Sequence, residues 1–119
     1  MESRYDSGKG EPVRIYIAGP ITGKKNYMNN FVSAENELIA AGHEVVNPAK
    51  LNLIVPDTYT QQEYMSICIP LLNTCDAVFC LNGWQHSHRA NQEVAHCMET
   101  GKAIFFEKGV CDGKKNEAD

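Results

Sequence analysis

The sequence predicts a single small α/β domain built on a doubly wound parallel sheet with flanking helices. Short apolar runs alternate with segments of helical periodicity, which is the pattern of parallel strands joined by crossover helices. The length of 119 residues and a hydrophobic content of 43% also suit one domain with one core. We therefore expect a compact sheet with helices on both of its faces.

The predicted elements follow one another with short connections. In chain order they are a strand at 13–18, a helix at 27–41, a strand at 43–47, an irregular loop at 48–59, a helix from residue 60, a strand at 76–81, a helix at 88–100 and a strand at 103–106. The runs VRIYIA and DAVFCL are almost wholly apolar, as expected of strands buried on both faces. Four or five strands in the order 2-1-3-4 would give a Rossmann or flavodoxin-like sheet.

The three helices are each supported by periodicity and by end signals. The apolar stripe of the first helix is Tyr27, Phe31, Ala34, Leu38 and Ala41. This helix ends at Gly42 and the third ends at Gly101, both suited to a left-handed cap. The second helix begins at a capping box formed by Thr60 and Glu63, and Pro70 is expected to kink it. Its expected inward stripe is Tyr64, Ile67, Cys68, Leu71 and Cys75.

The amino-acid composition and charge argue against nucleic-acid and membrane partners. Residues 1–12 and 108–119 are polar and Gly-rich, which predicts flexible tails around a folded unit at 13–107. A net charge of −4 and a pI near 5.5 argue against nucleic-acid binding. The chain has no long apolar run, so we expect no membrane partner. Five cysteines without a C-x-x-C pair are expected to be reduced core residues of a cytoplasmic protein.

Two loops should carry the ligand, because ligands bind beyond the carboxyl ends of the strands in such sheets. The first is the loop after the first strand, where the candidate ligand residues are Gly19, Pro20, Ile21, Thr22 and Gly23. Its glycines and the helix N-terminus behind it suit an anion. The alternative is that these glycines only form a turn. The second loop, at 82–89, supplies the candidates Gly83, Trp84, Ser87 and Arg89.

Glu93 is the strongest candidate for a functional residue in the sequence. It has helical spacing with Ala90, Val94 and Cys97, which places a carboxylate on the stripe that faces the sheet. A buried carboxylate is normally paired, protonated or functional. Glu93 is therefore expected to attack a sugar anomeric carbon or to hold ribose hydroxyls. Tyr16, on the central strand, either orients it or packs in the core.

Other polar residues near this helix have two possible roles. Ser87 is expected at the helix start, where it caps the helix and can also help to hold a phosphate. Trp84 either stacks on a base or packs in its loop. The histidines at 86, 88 and 96 lack the spacing of known zinc sites, so no metal is expected. No organic cofactor is expected either.

The chain resembles the nucleoside 2-deoxyribosyltransferase-like superfamily over nearly the whole folded unit. The matching stretches are IYIAGPITG (15–23), AENELIAAGHEVVNPA (34–49), CDAVFCLNGW (75–84) and S-x-R-A-x-x-E (87–93), followed by GKAIF (101–105). Within the superfamily it is most similar to small phage and bacterial proteins with an IAGP start and to deoxynucleoside 5′-monophosphate N-glycosidases. The resemblance implies that Glu93 is the nucleophile and that Tyr16 orients it.

The resemblance also bears on the substrate. Serine stands six residues before the glutamate in the monophosphate enzymes, where nucleoside transferases have aspartate, so Ser87 implies a nucleotide 5′-monophosphate. Arg89 and Asn91 stand where relatives often have glycine, and Arg89 can add a phosphate contact. Family members commonly form dimers or larger homo-oligomers, which we expect here too.

One residue departs from the family pattern. Cys68 occupies the position of an aspartate that supports proton transfer at the leaving base. Two readings follow. The protein is either an N-glycosidic hydrolase or transferase, or a non-catalytic nucleotide-binding protein that senses or sequesters its ligand in the same pocket.

Overall fold

A computed structural model of the chain describes residues 12–21 and 26–108. In chain order the elements are β1 (Arg14–Ala18), α1 (Tyr27–Ala40), β2 (Glu44–Val46), a 3₁₀ helix (Pro48–Leu53), α2 (Gln61–Asn73), β3 (Ala77–Cys80), a 3₁₀ turn (Trp84–His86), α3 (His88–Thr100) and β4 (Ala103–Phe106). The four strands form one parallel sheet in the order β2-β1-β3-β4. The predicted fold class and strand order are confirmed.

β1 and β3 occupy the centre of the sheet. The edge formed by their carboxyl ends is where ligands are expected to bind in a sheet of this kind. Tyr16 pairs with Val46 of β2 and with Val78 of β3, and Ala18 lies beside Cys80. All four residues of β3 are buried, as its apolar run predicted. Alternate residues of each strand face opposite sides of the sheet.

The two faces of the sheet carry separate apolar cores. One face packs against α1, with Ile15 and Ile17 of β1 in contact with residues such as Phe31 and Leu38. The other packs against α2 and α3, and its buried members include Tyr16, Val78, Tyr64, Leu72, Val94 and Cys97. Because β1 contributes to both cores, its side chains fix α1 on one side of the sheet and the helix pair on the other.

The end signals of the helices are confirmed. The Thr60 hydroxyl accepts from the Glu63 amide at 3.0 Å, and the Glu63 carboxylate accepts from the Thr60 amide at 2.8 Å. Gly42 and Gly101 have φ values of 98° and 76°, in the left-handed region where glycine is favoured. The stripe predicted for α1 is also buried, apart from Tyr27, which is half-buried.

Two expectations need correction. The buried face of α2 includes Met65 and Leu72, whereas Ile67 and Leu71 are only half-buried, because the side of the helix that packs in the core is centred between the Tyr64–Cys68 row and Met65 and Leu72. The stretch 48–59 is not irregular throughout, since its first half is the 3₁₀ helix. Pro48 suits the first position of that helix, and the Asn47 side chain caps it by accepting from the Ala49 amide at 3.0 Å.

The four cysteines at 68, 75, 80 and 97 are free and buried, as predicted. Cys111, the tail at 1–11 and the tail from 109 onward lie outside the described residues. None of the helices in the described part of the chain is long and apolar enough to cross a bilayer.

Candidate functional site

The centre of the site is a hydrogen bond between β1 and α3. The Tyr16 hydroxyl donates to Oε2 of Glu93 across 2.5 Å. Both side chains are buried: Tyr16 is 0% exposed and Glu93 is 3% exposed. The sequence analysis offered this contact as one of two alternatives for Tyr16, and the structure shows both, since Tyr16 bonds to Glu93 and is also buried in the core. The Oε1 atom of Glu93 accepts no hydrogen bond from the described residues.

The environment of Glu93 favours its protonated form. Burial raises the pKa of Glu93 to about 7, while the hydrogen bond from Tyr16 and the positive charge of Arg89 act in the opposite direction. Burial and the neighbouring Glu93 together hold the pKa of Tyr16 far above its usual value, so Tyr16 remains a donor. At neutral pH a substantial fraction of Glu93 is therefore ionised and held by a neutral phenol.

Cys68 of α2 lies beside this pair. It is 0% exposed, and burial raises the pKa of its thiol to about 11. The neighbouring Tyr16 hydroxyl lowers this pKa, and the negative charge of Glu93 raises it. A thiol with such a pKa is protonated at neutral pH. Cys68 therefore cannot supply the carboxylate chemistry of the aspartate that the resemblance places at this position.

The N-terminus of α3 has the geometry that favours an anion. Ser87 caps the helix, with its Oγ accepting from the Ala90 amide at 3.1 Å. The side-chain amide of Asn91 donates to the carbonyl oxygens of Gln85 and Ser87, at 2.8 and 2.9 Å. Asn91 therefore fixes the turn that presents Ser87. The helix dipole and the amides of the first turn favour a negative charge at this position.

An open cavity of about 450 Å³ lies in front of this helix end. Five of the predicted ligand residues line it, namely Pro20, Ile21, Gly83, Ser87 and Arg89. Three residues that the sequence analysis did not select also line it, namely Gln61, His86 and His88. Both ligand loops therefore meet at one cavity, as the carboxyl-end rule predicted.

Two glycines shape this edge of the sheet. A Cβ at Gly19 would lie 2.8 Å from Cδ1 of Leu81, so the loop after β1 can approach the end of β3 only with glycine there. Gly83 has φ of 88°, which favours glycine, and it begins the turn that leads to Ser87. Gly23 and Thr22 lie outside the described residues.

Arg89 has an unusual environment. Its guanidinium lies over the ring of Tyr64, 3.9 Å from the centroid, and its Nη2 donates to Oε1 of Gln61 across 3.5 Å. Its Nη1 is buried and has no hydrogen-bond partner within residues 12–21 and 26–108. A buried polar atom without a partner costs free energy, and a bound anion would satisfy it.

A second cavity, of about 290 Å³, lies on the other side of Arg89. Three tyrosines line it, namely Tyr27, Tyr59 and Tyr64, together with polar groups that include Asn52 and Asp57. The sequence analysis missed this cavity, because the half of the 48–59 segment beyond the 3₁₀ helix contributes to it without any periodic signal. Gln61 and Arg89 line both cavities.

Four of the predicted site residues that the structure describes line neither cavity, namely Tyr16, Gly19, Trp84 and Glu93. Trp84 lies in the 3₁₀ turn and not in an open loop, and its ring packs against Phe106 with centroids 6.0 Å apart. Glu93 instead lies beneath the site, one helical turn beyond Arg89. Within the same part of the chain, no three histidine, cysteine or acidic side chains gather as a metal site.

Comparison with known proteins identifies the family without a function. No curated protein matches the chain. A family model described as a domain of unknown function matches residues 13–106, from just before β1 to the last residue of β4, and so includes the Tyr16–Glu93 pair and both cavities. Because this match covers most of the chain, the protein belongs to the DUF4406 family of domains of unknown function.

Proposed function

We propose that the protein cleaves or transfers the N-glycosidic bond of a (deoxy)nucleoside 5′-monophosphate, with Glu93 as the nucleophile. The observation that carries this proposal is the buried Tyr16–Glu93 hydrogen bond, which lies beneath a cavity lined by Ser87 and Arg89. A carboxylate whose pKa is raised to about 7 by burial is typical of functional sites. The resemblance to the nucleoside 2-deoxyribosyltransferase-like superfamily supports the same role.

The proposed reaction has two steps. The ionised Glu93 attacks C1′ of the sugar with Oε1, the oxygen that Tyr16 leaves free, and forms a C1′–O bond. The C1′–N bond breaks, and its electron pair leaves with the base, which takes a proton from solvent. Water then attacks C1′ in hydrolysis, or a second base attacks it in transfer; the attacking group gives one proton to solvent, the C1′–O bond to Glu93 breaks, and the carboxylate is released. Tyr16 orients Glu93 and shares its negative charge.

The 5′-phosphate is assigned to the cavity in front of α3. Ser87 retains a hydroxyl hydrogen to donate, because its oxygen is the acceptor of the cap bond. The Arg89 guanidinium carries the charge and has an unused donor at Nη1. This combination supports a monophosphate over an uncharged nucleoside as the ligand.

A second candidate function is nucleotide binding without turnover, and Cys68 is the observation that favours it. The leaving base departs more easily when it is protonated, and positioned acid catalysis contributes about 10²- to 10⁴-fold. A buried thiol whose pKa is about 11 is a poor substitute for a carboxylic acid. In this reading the protein senses or sequesters the nucleotide.

Incubation of the pure protein with a panel of nucleoside and deoxynucleoside 5′-monophosphates tests the proposal, with free base measured by chromatography. We expect release of one or more bases by the unmodified protein and none by Glu93→Gln. Glu99→Gln is the matched control, because Glu99 is an exposed residue on the same helix. If both the unmodified protein and Glu93→Gln are inactive on every substrate, the enzymatic proposal fails.

Calorimetry on the same panel separates the second candidate from the first. Micromolar or tighter binding without base release supports a binding protein, and rapid base release by the unmodified protein excludes it. Glu93→Gln retains an acceptor for the Tyr16 hydroxyl, so its ligand affinity is expected to survive when its turnover is lost.

A further inference from the structure

The Arg89–Gln61 pair forms a wall between the two cavities. These two side chains line both cavities, and they are bonded to each other at 3.5 Å. Arg89 comes from α3 and Gln61 from the first turn of α2, so the wall joins the N-termini of two helices. Both residues have long side chains with several rotatable bonds. A change of side-chain rotamer is therefore enough to open the wall.

The position of Arg89 in the unliganded protein is poorly compensated. One of its nitrogens is buried without a partner, and its bond to Gln61 is long. The stacking on Tyr64 is its main favourable contact. A phosphate monoester in the first cavity offers the guanidinium two charge-assisted hydrogen bonds, which are stronger. Movement of the Arg89 side chain toward a bound anion is therefore energetically favourable.

Tyr64 would be uncovered by this movement. Its ring is 3% exposed, and its hydroxyl donates to the Pro48 carbonyl at 2.6 Å, so the ring stays fixed when Arg89 leaves. The freed ring face would look into the cavity that Tyr27 and Tyr59 also line. A planar heteroaromatic ring is the ligand chemistry that such a surface suits. The positive charge of Arg89 also lowers the pKa of Glu93 and of Cys68.

We propose that Arg89 is a specificity-determining gate: a phosphate monoester draws its guanidinium off Tyr64, which joins the two cavities and opens the tyrosine-lined cavity to the aromatic base of the same ligand. An uncharged nucleoside must displace Arg89 without this compensation, so it binds weakly. The inference rests on the proposed function for the identity of the ligand. The movement of Arg89 itself requires only a phosphate.

Binding measurements by calorimetry test the gate. The unmodified protein is expected to bind a nucleoside 5′-monophosphate about 10- to 100-fold more tightly than its nucleoside, the range for charge-assisted hydrogen bonds. Arg89→Ala should weaken monophosphate binding while strengthening nucleoside binding about 3- to 10-fold, because the stacked guanidinium no longer has to be displaced. Arg89→Lys, which loses the planar face, should show smaller changes in the same directions.

Arg14→Ala is the matched control, because it removes a cation from the opposite end of β1. It is expected to leave both affinities unchanged. If Arg89→Ala lowers the two affinities by the same factor, or changes neither, the gate is refuted. Weaker binding of the monophosphate together with stronger binding of the nucleoside identifies the gate, since a structural defect would weaken the binding of both ligands.

A second readout separates the gate from the enzymatic proposal. Inorganic phosphate is titrated into protein with ¹³C-labelled tyrosine rings. The Tyr64 resonances are expected to shift in the unmodified protein and to stay unchanged in Arg89→Ala. Such a shift without base release from any nucleotide upholds the gate and rejects catalysis. Base release without a phosphate-induced shift at Tyr64 rejects the gate and upholds catalysis.

Discussion

Ionisation of Glu93 should lower the stability of the fold, and Glu93→Gln should remove this effect. The Glu93 carboxyl is 3% exposed, and burial raises its pKa from the ordinary value of 4.5 to about 7. The folded state therefore holds the proton more tightly than the unfolded chain does. The resulting stabilisation is fully present below pH 4.5 and is lost as the pH rises through about 7. The side-chain amide of the Glu93→Gln variant has no such proton to lose.

The size of the effect follows from the pKa difference. Each pKa unit corresponds to about 1.4 kcal/mol, so the complete titration removes roughly 3 kcal/mol from the free energy of unfolding. Part of this loss occurs below pH 5, where the unfolded carboxyl already ionises. Between pH 5 and pH 8 we expect a loss of about 2.5 kcal/mol from this single group.

Urea denaturation at pH 5 and pH 8 measures this contribution. Other groups titrate in the same interval, so the informative quantity is the pH-dependent change in unmodified protein minus that in Glu93→Gln. This difference should be about 2.5 kcal/mol. Glu99→Gln should keep the pH dependence of the unmodified protein, because the residue is exposed. Equal pH dependence in Glu93→Gln and the unmodified protein would refute the assigned burial and raised pKa.

Four further predictions concern the same cluster. Tyr16→Phe removes the hydrogen bond that lowers the pKa of Glu93, so denaturation at pH 8 should show a loss of about 1–3 kcal/mol; unchanged stability would contradict the pairing. Cys68→Asp should accelerate base release by about 10²-fold if acid assistance is what the protein lacks, as single-turnover rates would show, and an unchanged rate would contradict that role. For a protein that releases base, kcat/KM should rise tenfold per pH unit below about 7, as Glu93 ionises. A pH–rate profile of Arg89→Ala should place this rise at higher pH, because Arg89 lowers the pKa of Glu93; an unmoved profile would exclude that influence.

The sheet and the positions of Tyr16 and Glu93 could be predicted because two periodicities agree. Tyr16 and Ala18 alternate with Ile15 and Ile17 along β1, so the first two share one face. Glu93 shares the inward stripe of α3 with apolar residues at helical spacing. The topology then brings that stripe onto the tyrosine face of β1. Local patterns therefore predicted that Glu93 faces the sheet and that Tyr16 lies on the central strand, while plain core packing stayed an alternative for Tyr16.

The cavity lined by tyrosines could not be predicted in the same way. Its wall combines Tyr27 of α1, Tyr59 before α2 and Tyr64 within α2, and nothing in the spacing of these residues links them. The sequence also does not predict which face of α2 packs in the core, because its apolar residues at 64, 65, 67, 68, 69, 71 and 72 would permit several inward faces. Packing against the sheet selects the face that buries Met65 and Leu72.

The spacing of Ser87, Arg89 and Glu93 has a geometric reason. Successive helical residues are separated by about 100°, so Arg89 and Glu93, four positions apart, point only about 40° from each other, with Arg89 one turn nearer the helix start. The Arg89 cation therefore lies between the Ser87 cap and the buried Glu93 carboxylate along the helix. An arginine at position 90 would instead point into the core, since Ala90 is fully buried. The S-x-R-A-x-x-E arrangement therefore places the proposed anion contact, the proposed gate and the proposed nucleophile in sequence from solvent to core along one helix.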